Sequence, residues 1–219
     1  MNKLVVKQIV GTDYDSNCYI IHIQETANAI IIDPNDDEQI VGYCNRHELR
    51  CEYIIITHEH YDHVAALATT KIGLGGVIIC SKSCKLLLDS VQKQLERTYK
   101  LHMHFAKKKI KPTPIYESVD ADKTFSDDIF LNWCGYDIQL KETIGHSKGS
   151  ISACFGKALI FTGDALSYDK TVITKMLGGN REEYLKSALS FYKTLPGDIR
   201  VYPGHGKSFL LKEKSLFEY

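Results

Sequence analysis

The sequence predicts an α/β fold: an αββα sandwich of two mixed β-sheets packed face to face with helices outside. Two observations carry that expectation. A series of short strand-like runs followed by a helical pattern occurs twice along the chain, and such runs need a second sheet and an outer helix layer to cover them. Some of the runs are also apolar throughout, which marks strands buried on both faces.

Leu4–Val10, Cys18–Ile23 and Ala29–Ile32 are β-branched runs separated by the turn formers Gly11, Asp13, Asp15 and Asn28. Asp33-Pro34-Asn35-Asp36 stops the third run and offers an N-cap for a helix over Glu38–Arg50. Tyr53–Thr57 (YIIIT) is a continuous apolar strand that runs directly into His58. A helix near Val64–Lys71 follows, then Gly75-Gly76 and a strand over Val77–Cys80. From Ser81 to about Asp122 the character changes. Leu86, Leu87, Val91 and Leu95 give helical spacing over Ser81–Leu101, whereas Lys107–Lys109, Lys111, Pro112 and Pro114 resist a helix. Residues 81–122 therefore read as an insertion or lid within a single domain spanning 1–219. Strand patterns resume at Ile129–Trp133, Tyr136–Lys141, Ile151–Phe155 and Ala158–Thr162. Asn180 caps a helix over Arg181–Leu195, ended by Pro196-Gly197, and Ile199–Tyr202 is the last strand.

Composition narrows the function. Lys plus Arg and Asp plus Glu both count 27, so the formal net charge is zero. Nucleic-acid binders usually carry a basic excess, and no nucleic-acid partner is expected. The first ten residues are interrupted by Lys3 and Lys7, too short a run for a signal peptide, and no stretch approaches membrane-spanning length. Seven cysteines, an odd number without a CxxC pair, read as free thiols in a reducing compartment. Cys80 and Cys84, one helical turn apart, read as packed thiols. A cytoplasmic protein without a membrane partner is the expectation.

Thr57-His58-Glu59-His60-Tyr61-Asp62-His63 packs four potential metal ligands closely together. In an extended stretch His58, His60 and Asp62 share one face and His63 the other, so one turn of chain reaches two ions. His146, Asp164 and His205 likewise follow apolar strands and glycines, where loops carry chemistry and backbone approaches an ion closely. A lone histidine is usually a surface or packed residue. Agreement among these positions is what points to a metal centre of imidazole and carboxylate ligands.

THEHYDH, GHSKGS, FTGDAL and YPGHG, in that order, resemble the signature motifs of the metallo-β-lactamase superfamily, over Asn17 to His205. The resemblance implies that His58, His60 and His146 bind one metal, that Asp62, His63 and His205 bind a second, and that Asp164 bridges them. The true β-lactamases of that superfamily typically carry a cysteine where Asp164 stands, and many carry arginine at His63. The chain thus resembles the branch of glyoxalase II (hydroxyacylglutathione hydrolase). The cofactors implied are two divalent ions, zinc first, with iron or manganese as alternatives. Their charge outweighs that of two aspartates and favours hydroxide over water. The mechanism expected is attack by a bridging hydroxide, oriented by the catalytic Asp62, on a carbonyl or phosphoryl centre.

GGNREEYLKSALSFYKTLPGD and VYPGHG resemble the end of small glyoxalase II-like proteins. The full-length enzymes add a C-terminal helical domain that helps bind glutathione; only residues 206–219 follow His205, and Ser167-Tyr168-Asp169-Lys170 stands where relatives often carry Gly-Arg. Thioester or related acyl ester hydrolysis is expected, and these departures leave recognition of glutathione open. Tyr168 and Lys175 are candidate substrate-binding residues, with Lys170 and Arg181 nearby, for a small and anionic molecule; the bland reading of all four is a solvated surface. Lys107–Lys111 reads as a solvated face, and His102-x-His104 as exposed or packing histidines. Two alternatives stay open: an iron-dependent persulfide dioxygenase-like oxidoreductase, and a phosphodiesterase.

Overall fold

A computed structural model describes residues 3–105, 107–109, 112–169, 171–176 and 178–216. Two six-stranded sheets form its centre, ordered β1-β2-β3-β4-β5-β6 and β12-β11-β10-β9-β8-β7. The first contains β1 (Leu4–Val10), β2 (Asn17–Ile23), β3 (Asn28–Ile32), β4 (Arg50–Ile55), β5 (Val77–Ser81) and β6 (Lys123–Phe125). The second contains β7 (Ile129–Trp133), β8 (Tyr136–Glu142), β9 (Ile151–Phe155), β10 (Leu159–Gly163), β11 (Arg200–Pro203) and β12 (Phe209–Leu210). Both are mixed: β1-β2-β3 pair antiparallel before β3-β4-β5-β6 turn parallel, and β10-β11 is a parallel step in an otherwise antiparallel sheet.

Side-chain alternation explains the layers. In β2, Tyr19, Ile21 and Ile23 face the second sheet, where they meet Phe155 and Phe161; Cys18 and Ile20 face outward onto helices. Each isoleucine so buried contributes about 1.5–3 kcal/mol relative to exposure. The first sheet's outer face is covered by α1 (Asp37–Arg46), α2 (Tyr61–Val64), α3 (Leu67–Leu74), α4 (Lys82–Leu88) and the start of α5 (Val91–Phe105). The second sheet's outer face is covered by α6 (Arg181–Tyr184), a π-helical turn over Leu185–Leu189, and α7 (Ser190–Tyr192). The expected αββα order is what forms.

Several boundaries differ from expectation. Asp36 caps α1, accepting the Gln39 amide at 3.1 Å, and the helix stops at Arg46 because Glu48 takes a left-handed φ of 53° before Arg50 enters β4. The 81–101 pattern breaks into α4 and α5 at Asp89-Ser90. β6 and β12, too short for a periodic signal, were not expected. The seven cysteines are free, with Cys134 exposed and the others buried. No helix among the described residues is long and apolar enough to cross a membrane.

Candidate metal centre

Strand ends bring the candidate ligands to one edge of the sandwich. His58 follows β4, His146 follows β8, Asp164 follows β10 and His205 follows β11. Ile151 N–H donates to the Thr57 carbonyl at 2.8 Å, locking the end of β4 to the start of β9, so the two sheets share this edge. The chain leaves the extended form at Tyr61. Asp62 and His63 lie in α2, and Asp62 accordingly does not share a face with His58 and His60; that part of the period-two reading is corrected.

Two ligand sets result. His58, His60, His146 and Asp164 present atoms within 4.8 Å of one another, as do Asp62, His63 and His205. Asp164 joins them: its carboxylate lies 3.6 Å from His146 Nε2, 3.4 Å from His63 Nε2 and 3.6 Å from His205 Nε2.

The imidazoles are aimed by oxygen atoms on their far side. Thr57 Oγ1 lies 3.0 Å from His58 Nδ1, the Ile173 carbonyl 2.8 Å from His146 Nδ1, and the Asp15 carbonyl 3.1 Å from His205 Nδ1. Asp33 Oδ2 receives His63 Nδ1 at 3.0 Å. With Nδ1 so held, Nε2 is the ring atom each turns inward, the usual outer support of a metal-binding histidine. Asp33 is grouped with His58 and His63 as well. It also accepts the Thr57 amide at 2.7 Å and hydroxyl at 2.6 Å, so it orients ligands instead of binding an ion.

The residues fit a cation. His60 Nδ1 sits 3.1 Å from His58 Nε2 and 3.0 Å from His146 Nε2, two nitrogens whose rings carry their protons elsewhere, so lone pairs outnumber protons at this point. His63 Nε2 and Asp164 Oδ1 are buried without a hydrogen-bond partner, and each faces the cluster. Buried polar atoms are normally satisfied, and a cation bound between these two would satisfy both.

Electrostatics separate the two sets. Burial, aided by His63, holds His58 well below its ordinary value, and burial with His146 pushes His60 down to about 4. Burial would lower His63, but Asp62 and Asp164 outweigh it and hold it well above 6.5. His205 is raised against burial in the same way, by its hydrogen bond to Asp62 and by Asp164. Burial would raise Asp62, yet His63 and His205 hold it at about 2; Asp164 is held well below the usual carboxylate range, again against burial. In the metal-free chain His58 and His60 are therefore neutral imidazoles, while the carboxylates of Asp62 and Asp164 favour a proton on His63.

Sequence reasoning passed over two residues here. Asp33 was hidden in a strand-stopping DPND segment. Glu59, between two ligands, is buried, accepts Ser147 Oγ at 2.9 Å, and so ties the His58–His60 segment to the His146 loop. Gly149 completes that contact, since a Cβ there would meet Cys84 Cα at 2.7 Å. Upstream of His146, Gly145 at φ 134° passes so close to Tyr184 that a Cβ would overlap its backbone, and the π-helical turn supplies Ser187 Oγ to the Ile144 amide at 3.1 Å. Extra turns of this kind recur at functional sites.

The substrate candidates are spread. Tyr168 packs on Phe209 with ring centroids 5.3 Å apart. Lys175 is exposed on the segment whose Ile173 carbonyl orients His146, and Arg181 is exposed at the start of α6. Lys170 and Lys111 lie outside the described residues. His102 is not simply exposed: it stacks on Tyr14 at 4.1 Å.

The model of the metallo-beta-lactamase superfamily matches residues 11–205. A hydroxyacylglutathione hydrolase of Actinobacillus pleuropneumoniae is 24% identical over 190 residues, which is 87% of this chain and 66% of that protein. The chain thus spans just under two thirds of that relative. Hydroxyacylglutathione hydrolase GloC of Haemophilus influenzae is 27% identical over 205 residues, 92% of this chain and 90% of that one. The structure of BLEG-1 B3 metallo-beta-lactamase superposes with TM-score 0.82 at 25% identity, covering 95% of each chain. TTHA1623 in a di-iron-bound form shares the fold, with TM-score 0.75 at 21% identity over 95% of this chain and 96% of that one.

Proposed function

Since the chain belongs to the metallo-beta-lactamase superfamily, we propose that it is a dinuclear metallohydrolase acting on a thioester or related acyl ester. The observation that carries this reading is the convergence of three histidines on one side of Asp164 and of Asp62, His63 and His205 on the other. Two divalent cations, when bound, lower the pKa of water toward neutrality and polarise an acyl oxygen. Zinc suits the imidazole and carboxylate donors; the di-iron form of TTHA1623 makes iron the first alternative.

The chain's own residues do the rest. His58, His60 and His146 hold the first ion; Asp62, His63 and His205 hold the second, with Asp164 between them. Asp62 Oδ2, 3.2 Å from His205 Nε2, is placed to accept a hydrogen bond from the attacking water and so orient it. The nearby serine and threonine hydroxyls are engaged elsewhere: Ser16 Oγ donates to the Asp62 carbonyl, Thr57 Oγ1 to Asp33 and Ser147 Oγ to Glu59. Water is thus the nucleophile in this reading. A thiolate, of ordinary pKa about 8.5, leaves without a proton donor, which favours a thioester over an amide. Two relatives named hydroxyacylglutathione hydrolase support acyl-thioester chemistry. Lys175 supplies positive charge at the rim for an anionic substrate, and Tyr168 is the further candidate contact.

The test is a hydrolysis panel of acyl-thioesters, lactones and phosphodiesters, run on protein of measured metal content. Preferred thioester turnover with two ions per chain is expected. Preferred phosphodiester turnover would overturn the substrate class, and one iron per chain with oxygen uptake would assign a dioxygenase instead.

A further inference from the structure

The β1–β2 loop, residues 11–16, reaches the second ligand set from outside the sandwich. Its Asp15 carbonyl accepts His205 Nδ1 at 3.1 Å, and Ser16 Oγ donates to the Asp62 carbonyl at 2.7 Å. Ser16 also bridges to His205, and Asn17 N–H donates to the Gly204 carbonyl at 2.7 Å. The two residues most directly aimed by this loop, His205 and Asp62, both belong to the second set.

Its opposite side is gripped by the segment that the sequence reads as an insertion or lid, including a lysine from the stretch expected to be a solvated face. Lys108 Nζ donates to the Thr12 carbonyl at 3.1 Å, the Asp13 carbonyl at 2.9 Å and Asp15 Oδ1 at 3.0 Å. Tyr14 stacks on His102 of α5 at 4.1 Å and meets Tyr61 edge-on at 5.8 Å. Leu95, Tyr99 and Met103 of α5 close this cluster, which stands apart from the three larger cores. The grip also fixes Asp15 at a left-handed φ of 58°, a conformation that aspartate and asparagine tolerate better than most residues.

We propose that α5 and Lys108 form a clasp that seats the β1–β2 loop on the second ligand set. Lys108 and the Tyr14–His102 pair are positioning residues for His205 and Asp62, and they set how firmly the second ion is held. An exposed ion pair such as Lys108–Asp15 stabilises a fold very little. Its consequence is geometric: three acceptors on one ammonium fix the loop whose carbonyl aims an imidazole, and loss of such outer support typically weakens metal binding 10- to 100-fold. The clasp rests on the dinuclear reading, and its test separates the two.

The metal-stripped full chain, as wild type, Lys108→Met, Lys108→Arg and Asp15→Asn, is titrated with Zn²⁺ against a chromophoric chelator. Wild type taking up two equivalents in two steps is the expected result; uptake of a single equivalent overturns the dinuclear reading and the clasp with it. With two steps in wild type, Lys108→Met weakens the second by about 10-fold or more and leaves the first unchanged. Lys108→Arg, which keeps the charge and donors, restores most of that loss. Asp15→Asn keeps the left-handed residue and its carbonyl, and falls between. If both steps weaken together, or neither moves in Lys108→Met and Asp15→Asn, the clasp is wrong. Thermal unfolding of each variant excludes loss of fold as the cause.

Discussion

Replacing Asp33 by asparagine leaves shape almost unchanged and tests how His63 is aimed. Asp33 Oδ1 receives the Thr57 amide at 2.7 Å, while Oδ2 receives the Thr57 hydroxyl at 2.6 Å and His63 Nδ1 at 3.0 Å. An amide offers one acceptor oxygen in place of two, together with two N–H donors. With its oxygen kept on the Thr57 amide, its nitrogen faces the hydroxyl and the imidazole. The hydroxyl turns to accept; His63 must then carry its proton on Nε2, the atom 3.5 Å from Asp62 and 3.4 Å from Asp164. Ligation through Nε2 would require reversing that tautomer against a buried donor. The expected loss is about 10- to 100-fold in affinity for the second ion, or about 1.4–2.7 kcal/mol. Asparagine tolerates the φ of 54° at this position, so backbone strain adds nothing. Alanine would be a poorer probe, because it leaves buried donors unpaired at about 1–3 kcal/mol each. The assay is a Zn²⁺ titration with ¹⁵N shifts of His63 in the metal-free protein. Wild type should show both ring nitrogens protonated, and Asp33→Asn Nε2 alone. A variant that holds both ions as tightly as wild type refutes the reasoning.

Other consequences follow from the same geometry. At pH 7 His58 and His60, both lowered, carry no extra proton, whereas His63, held well above its ordinary value, does, and His205 is shifted in the same direction. Ions require unprotonated ligands, so filling the second set should release more protons than filling the first. Calorimetry in buffers of different ionisation heat should show the larger buffer dependence in the second step; equal dependence in both contradicts the assignment. Asp62→Ala and His146→Ala should each lower turnover on the best substrate by about 10²-fold or more, and full turnover in both would end the mechanism. Gly145→Ala should destabilise the metal-stripped protein by at least about 1–3 kcal/mol, since its Cβ meets the Tyr184 backbone at a φ of 134°. In a melt that is a fall of several degrees, and an unchanged midpoint would show that this approach is not tight.

His58, His146, Asp164 and His205 were legible because each follows an apolar strand end, and strand ends converge where two sheets share an edge. Their grouping was less so. Period-two reasoning holds only while the chain stays extended, and the turn into α2 at Tyr61 sends Asp62 to His205 instead of His58. Asp33 carries the same local signature as any strand-stopping aspartate, and only its contacts with Thr57 and His63 give it a role. Lys108 and His102 were illegible for a simpler reason: their partners in residues 12–15 lie far away in sequence, where no periodicity can register them. The fold itself was readable through runs such as Cys18–Ile23, apolar on both faces. Strands as short as β12 had too few residues to show any pattern.

The metal content of this protein, purified without added metal and read by elemental analysis against protein concentration, bears most directly on the central idea. Two divalent ions per chain are predicted, falling toward one in His146→Ala. A single ion per chain in the unaltered protein, or none, would contradict it.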